Sequence, residues 1–160
     1  MMILGHAACV GLSGHRAGRR LLRRLCLART GRPMPPIRMG ARGKPRFVGG
    51  GMHFSISHTK GHVFCVLSSC PVGLDAELST RQISPRLAEK ILSPGEFSQY
   101  TQAENPQEAL RQFWVLKEAG AKATGRGLTG YPRDTDFTLG NTIKSHGCTV
   151  AIIRRRHHAV

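Results

Sequence analysis

The sequence predicts an α+β fold in which a small, mainly antiparallel sheet packs on one long helix. Three observations carry this. Met52–Ile56 and His62–Ser68 read as two strands joined by the turn Ser57-His58-Thr59-Lys60-Gly61. A run of capped helical segments then fills residues 84–124. Asp136–Leu139 and Cys148–Ile153 return to strand character near the end. At 160 residues the chain has room for one domain with its own core.

The elements follow in order. Arg16–Arg29 is helical: Leu21, Leu22, Leu25 and Cys26 fall near a 3.6 period between arginines, and Gly31, Pro33, Pro35 and Pro36 end it. Gly40–Pro45 is a basic turn and Gly49-Gly50-Gly51 a hinge. In His62–Ser68 both faces are apolar, and Pro71–Glu77 is a third extended segment. Ser84 is the expected N-cap of a helix over Arg86–Leu92, with Pro85 at N1. Ser93-Pro94-Gly95-Glu96 has capping-box spacing and opens a helix through Tyr100. Asn105-Pro106 opens the longest helix, to Thr124, with Gly125 as its stop. No internal repeat is visible. The organisation expected is a basic segment with one helix (1–40), a main domain (41–153) and a basic tail (154–160).

The formal net charge is +15, from 24 Lys+Arg against 9 Asp+Glu. Met1–Leu74 holds 12 of those cations and no acid, so the partner expected is anionic. Five cysteines without a CxxC pair exclude a zinc ribbon or thioredoxin motif and suit reduced thiols in a cytoplasm. No apolar run approaches the ~20 residues of a membrane span. Ile3–Leu12 contains Gly5 and His6 and lacks a basic flank, which argues against a signal peptide.

Four groups of residues could carry chemistry. Asp75 and Glu77, at i and i+2 of a strand, face the same way, and paired carboxylates suit Mg²⁺ unless they simply meet solvent. Glu118 and Lys122 are i, i+4 on the long helix with Trp114 one turn earlier. They are either a surface ion pair, or a third metal ligand beside a phosphate clamp. Ser57 and His58 end an apolar strand, where the imidazole could hold a phosphate oxygen or be structural. Gly125–Gly130 spells GxGxxG but follows a helix, so it reads as a helix stop.

The order and spacing of these pieces resemble a known family. GKP (Gly43–Pro45), FSISH (Phe54–His58), GLDAE (Gly73–Glu77) and FWVLKEAGAKATGRGL (Phe113–Leu128) look like the 4′-phosphopantetheinyl transferase superfamily, Sfp-like branch, over about Leu21–Leu139. The resemblance implies a transferase-like domain of that family and transfer of the 4′-phosphopantetheine arm of coenzyme A to a serine of an apo carrier protein. Adenosine 3′,5′-bisphosphate is the other product. It implies Asp75, Glu77 and Glu118 as Mg²⁺ ligands, His58 and Lys122 on phosphates, and Lys44 with Pro45 at the adenine nucleotide end. Ser57 assists His58, and Glu118 accepts the serine proton. The upstream basic residues for the 3′-phosphate have no motif match; Arg16, Arg19 and Arg23 are the candidates.

The departures are Ala76, Gly120 and short ends, with residues 1–40 as a remnant of the family's first half. They imply either self-association that completes the site across subunits or an impaired, shortened member. Carrier proteins of the acyl, peptidyl or polyketide type, with an acidic helix beside the serine, fit the +15 charge. The competing class is a basic nucleic-acid-binding protein. It has the acid-free first half and the Arg154–Arg156 tail in its favour, but no helix-turn-helix or finger spacing. A third reading is a non-catalytic scaffold that binds carrier proteins.

Overall fold

The structure, a computed structural model, describes residues 1–40, 43–125, 127 and 135–155. The chain first forms β1 (Met2–Ala8), α1 (Gly14–Thr30), β2 (Ile37–Met39), β3 (Pro45–Phe47), β4 (His53–Thr59) and β5 (His62–Ser68). It continues as β6 (Val72–Leu78), α2 (Arg86–Ile91), α3 (Pro94–Gln102), α4 (Pro106–Thr124), β7 (Ile143–Ser145) and β8 (Cys148–Arg154). The strands fall into three antiparallel sheets, ordered β1-β5-β4, β2-β3 and β6-β8-β7.

Two of these sheets share one path. In each, a strand leads to a long helix, a hairpin follows, and its last strand pairs antiparallel with the first. Met2 lies opposite Ser68 and Ala8 opposite His62; Val72 lies opposite Arg154 and Leu78 opposite Cys148. Matched by register, Gly5 takes the place of Asp75, and Ala7 that of Glu77. Both long helices stop on a left-handed glycine, Gly31 and Gly125, whose φ values of 67° and 71° suit a residue without Cβ. The repeat is one of topology, and the residues that differ between halves are those that hid it in the sequence.

Alternation along the strands sorts the cores. Val63, Cys65 and Leu67 of β5 join Leu21, Leu22 and Cys26 of α1 and Phe54 of β4. The other face of β5, Phe64 and Val66, meets Val72, Leu74 and Ala76 of β6 and Cys148 and Val150 of β8. Both faces of β5 are therefore buried, as its apolar run requires. Across the second sheet, Ala151 packs with Val115, Leu116 and Ala119 of α4. The approach is closest at Gly73, where a Cβ would stand 1.9 Å from the Ala119 carbonyl oxygen and 2.4 Å from the Ala123 nitrogen. Only glycine lets α4 sit that close to β6.

Several elements differ from the sequence expectation. β1 was not anticipated; its ladder partner lies some sixty residues away. β4 extends through Ser57 and His58 to Thr59, leaving Lys60-Gly61 as the turn. Ser84 does not cap α2: Pro85 occupies the N-cap with no side-chain bond, and Ser84 offers only its carbonyl to the Leu87 N–H. Ser93 and Glu96 form the expected capping box. Asp136–Leu139 is not a strand. Side chains supply its hydrogen bonds instead: Phe137 N–H donates to Glu96 Oε1 at 2.8 Å and Leu139 N–H to Gln99 Oε1 at 3.4 Å. Ala41, Arg42, most of the GxGxxG segment and the tail from Arg156 lie outside the described residues. Among the described residues no helix is long and apolar enough to cross a membrane.

Candidate functional site

The site lies where β4 runs beside β6 without a backbone ladder. Alternation puts Phe54, Ile56 and His58 on the α1 side of β4 and Ser55, Ser57 and Thr59 on the β6 side. The hydroxyls take over the ladder's role. Ser55 Oγ accepts from Leu74 N–H at 3.0 Å and Ser57 Oγ from Ala76 N–H at 3.2 Å. Ser57 Oγ in turn donates to Asp75 Oδ1 at 2.9 Å, and Thr59 Oγ1 to Glu77 Oε2 at 3.3 Å. The hydroxyl row and the carboxylate row thus march in step.

Alpha-helix α4 completes the arrangement from above β6. Asn105 caps its first turn and Gly73 lets its last turns descend onto the strand. Lys122 Nζ then reaches Asp75 Oδ1 at 2.7 Å and Ser57 Oγ at 3.4 Å. Lys122, Ser57 and Asp75 form a closed hydrogen-bonded triangle. Glu118, one turn earlier, is half-buried, and its carboxyl is pushed above the usual range. Burial is the main cause, then the Asp75 charge, with Glu77 adding to it and Lys122 and Arg81 opposing. Three carboxylates and one lysine therefore share this corner.

A cavity of about 380 Å³ opens beside the triangle. His15 and Arg19 of α1, Pro45 of β3, His58 of β4, and Glu118 and Lys122 of α4 are on its wall. Walls come from both topological halves. His58 stands against Gly14, where a Cβ would lie 2.5 Å from its ring, so the start of α1 is fitted to this imidazole. Ser57 points away from His58, to the opposite side of β4, and serves Asp75. Lys44 is also on the wall, yet its Nζ donates to Val72 O at 3.0 Å and Ala123 O at 3.1 Å. It fastens the turn before β3 to β6 and to the electronegative end of α4. Burial, with help from Arg46 and Arg155, lowers its pKa to about 8.

The site contains residues that the sequence reading missed. Arg81 pairs with Glu77, and Arg111, almost fully buried, donates twice to the Arg81 carbonyl, at 3.1 and 2.9 Å. Thr59 and His15 were missed too; strict alternation in FSISHT was the available signal for Thr59. Of the upstream arginines, Arg19 is on the cavity wall, while Arg16 and Arg23 are exposed and not among its lining residues. Lys117, next to Glu118, turns inward. Its Nζ meets Glu96 Oε2 at 2.7 Å with both side chains fully buried, and donates to Thr135 O at 2.8 Å.

Among the described residues no three His, Cys, Asp or Glu groups form a ready-made metal cluster. The donor chemistry still suits a hard cation. Asp75, Glu77 and Glu118 offer only oxygens; burial first, and then the Asp75 charge, raise the Glu118 pKa, and a divalent ion would offset the carboxylate repulsion.

Comparison with known proteins agrees in part of the chain. The sequence model of the 4′-phosphopantetheinyl transferase superfamily matches residues 71–158, which hold β6, α4 and β8. The 4′-phosphopantetheinyl transferase gsp of Aneurinibacillus migulanus is 36% identical over 88 residues, covering 54% of this chain and 36% of that protein. The 4′-phosphopantetheinyl transferase Sfp of Bacillus subtilis strain 168 is 33% identical over 79 residues, 48% of this chain and 35% of its own. A holo-[acyl-carrier-protein] synthase of Yersinia pseudotuberculosis is 40% identical over 52 residues, 32% of this chain and 41% of its own. The matched part thus spans about a third of the length of the first two relatives.

Proposed function

The chain belongs to the 4′-phosphopantetheinyl transferase superfamily, and from that premise we propose that it moves the 4′-phosphopantetheine arm of coenzyme A onto a serine hydroxyl of an apo carrier protein. One observation carries the reading: Glu118 and Lys122 line the cavity together with Arg19 and Lys44, while Asp75 and Ser57, hydrogen-bonded to Lys122, stand behind it and are not among the lining residues.

In the reaction the serine oxygen attacks the phosphorus that bears the pantetheine arm. The P–O–P bond of the pyrophosphate breaks, and adenosine 3′,5′-bisphosphate leaves with the bonding electrons. The serine proton passes to a Glu118 carboxylate oxygen. Because burial and the neighbouring carboxylates raise its pKa, Glu118 is a stronger base than an exposed glutamate. Lys122 and His58 hold phosphate oxygens, Arg19 offers further positive charge on the same wall, and His15 stands beside it. Lys44 and Pro45 shape the adenine end, with the Lys44 amine kept on backbone carbonyls. Asp75, Glu77 and Glu118 would hold Mg²⁺, which supplies charge neutralisation at the pyrophosphate. Ser57, Thr59 and Arg81 keep the carboxylates in register. Most of the rate gain comes from positioning and charge rather than from a covalent nucleophile.

The acceptor expected is an acyl, peptidyl or polyketide carrier with an acidic helix beside its serine, in a cytoplasmic setting that keeps all five thiols free. Both halves of one chain wall the cavity, so this reading needs no second copy. The test is chromatographic. The full chain, coenzyme A, Mg²⁺ and an apo carrier should release adenosine 3′,5′-bisphosphate, and Asp75→Ala should abolish the release while the protein stays folded. Release without a carrier, or unchanged release from Asp75→Ala, would refute the assignment.

A further inference from the structure

We propose that Arg111 is a positioning residue for the candidate metal site: through the Arg81 carbonyl it aims the Arg81 guanidinium at Glu77, and so sets the affinity of the site for its divalent cation. This rests on the reading of Asp75, Glu77 and Glu118 as cation ligands, and it gives a role to a residue that touches none of them.

Glu77 is the next-to-last residue of β6. Just beyond it the chain turns back, with the Arg81 N–H donating to Leu78 O at 3.0 Å. The turn hangs Arg81 over the carboxylate, where its Nη1 meets Glu77 Oε1. Thr59 Oγ1 holds the other oxygen at 3.3 Å. The Arg81 side chain is about half exposed, and a pair of that kind keeps one geometry only where the backbone beneath it is held.

Helix α4 supplies that hold. Arg111 is 3% exposed, and its Nε and Nη2 both donate to Arg81 O, at 3.1 and 2.9 Å. Gln107, one turn earlier, brackets the same loop: its Oε1 accepts from the Ile83 N–H at 3.1 Å and its Nε2 donates to Ile83 O at 2.9 Å. The remaining arm of the guanidinium, Nη1, lies on Glu108 Oε2. Glu108 Oε1 pairs with Lys144 of β7, and Lys144 Nζ donates to Thr149 Oγ1 at 2.8 Å. Thr149 stands opposite Glu77 in the β6–β8 ladder. The contacts therefore leave Glu77 through Arg81, Arg111, Glu108 and Lys144, and return to its ladder partner.

Two features tie this ring to the site. Arg111, Glu118 and Lys122 are spaced i, i+7, i+11 and share one face of α4. From that face Lys122 serves Asp75 directly, and Arg111 serves Glu77 through Arg81. The fork is also directional: two donors on one carbonyl oxygen fix the orientation of the loop as well as its distance, which a single ammonium would not. Outer partners that orient a ligating carboxylate carry about a 10–100-fold effect on metal affinity.

The experiment titrates Mn²⁺ into the full chain with saturating coenzyme A and no carrier, so that no turnover enters, and counts the free ion by electron paramagnetic resonance. Circular dichroism checks folding at the same temperature. Arg111→Lys and Arg81→Gln should each weaken Mn²⁺ binding about tenfold or more. Lys144→Met, at the exposed end of the ring, should weaken it in the same direction. Arg81→Lys should restore most of the affinity, because one guanidinium nitrogen meets Glu77, whereas lysine at position 111 cannot reproduce the fork. Cys26→Ala, in the core beneath α1, should lower the melting temperature and leave the ion affinity alone. Folded variants with wild-type Mn²⁺ affinity overturn the proposal, as does an affinity that rises when Arg81 is removed, or a wild-type chain that binds no Mn²⁺. If Arg111→Lys does not fold, Arg81→Gln and Lys144→Met decide by the same criterion. The expected pattern in a chain that transfers no arm to any carrier refutes the transfer reading and leaves the positioning role standing. Transfer whose half-saturating Mg²⁺ concentration the variants do not move does the reverse.

Discussion

Replacing Gly73 by alanine should separate α4 from β6 and disable the site without touching any of its side chains. The added Cβ would stand 1.9 Å from Ala119 O and 2.4 Å from Ala123 N. Both are backbone atoms of one helix, so no rotamer change relieves the clash. An ordinary carbon–oxygen contact needs more than an ångström of extra room, and only a shift of the helix provides it. Overpacking of this kind costs about 1–3 kcal/mol. For a chain of this size that lowers the melting temperature by several degrees, at roughly 2–4 °C per kcal/mol. Lys122 and Glu118 ride on the displaced turns, and the 2.7 Å contact between Lys122 and Asp75 would open. A misplacement of about 1 Å can cost ~100-fold in rate. Thermal denaturation and the transfer assay read the two consequences. A Gly73→Ala protein with the wild-type melting temperature and rate would refute this account of how the helix sets the site.

Breaking the fully buried Lys117–Glu96 pair from one side, as Lys117→Met, should cost about 3–5 kcal/mol, whereas Lys117→Met/Glu96→Gln, which removes the orphaned charge and keeps an acceptor oxygen for the neighbouring N–H groups, should recover part of it; denaturant titration of both variants decides. Glu118 carries the opposite kind of burden. Its folded pKa is raised, so its contribution is most favourable below the unfolded value and is lost as pH rises through the folded one. Glu118→Gln should therefore stabilise the protein at neutral pH and flatten its stability curve on that side. A variant no more stable than wild type at neutral pH would contradict the assignment. His6 should act in the other direction: burial first, then the charges of His146 and His62, hold its pKa below the usual value. Its neutral ring bonds His62 Nδ1 at 3.0 Å and stacks on His146 at 3.6 Å. That stability is present above about pH 6.5 and lost as pH falls through the lower folded value. His6→Phe should remove much of the acid-side loss in a denaturation series, and an unchanged series would exclude the cluster.

What was legible in the sequence was local. The Ser93 capping box, the Asn105 and Gly125 ends of α4 and the apolar run of β5 are each signalled by a few adjacent residues, and each is present. The i, i+2 carboxylates of β6 and the i, i+4 pair of α4 were equally readable. What brings them together is not, because it depends on Gly73, whose role appears only once α4 is placed. β1 was missed because Gly5 and His6 interrupt its apolar character and its partner β5 is distant in sequence. Asp136–Leu139 looked like a strand, yet two side chains of α3, the buried Glu96 and the half-buried Gln99, take its Phe137 and Leu139 N–H groups. Arg81 and Arg111 were silent because a guanidinium that orders a loop carbonyl leaves no periodic trace.

The most direct test of the central claim is intact-mass spectrometry of apo acyl, peptidyl and polyketide carrier proteins incubated with the full chain, coenzyme A and Mg²⁺. The account predicts a gain of one phosphopantetheine arm on at least one carrier, abolished by EDTA and by Glu118→Ala. No mass gain on any carrier, from a folded chain that also fails to bind coenzyme A, would contradict it.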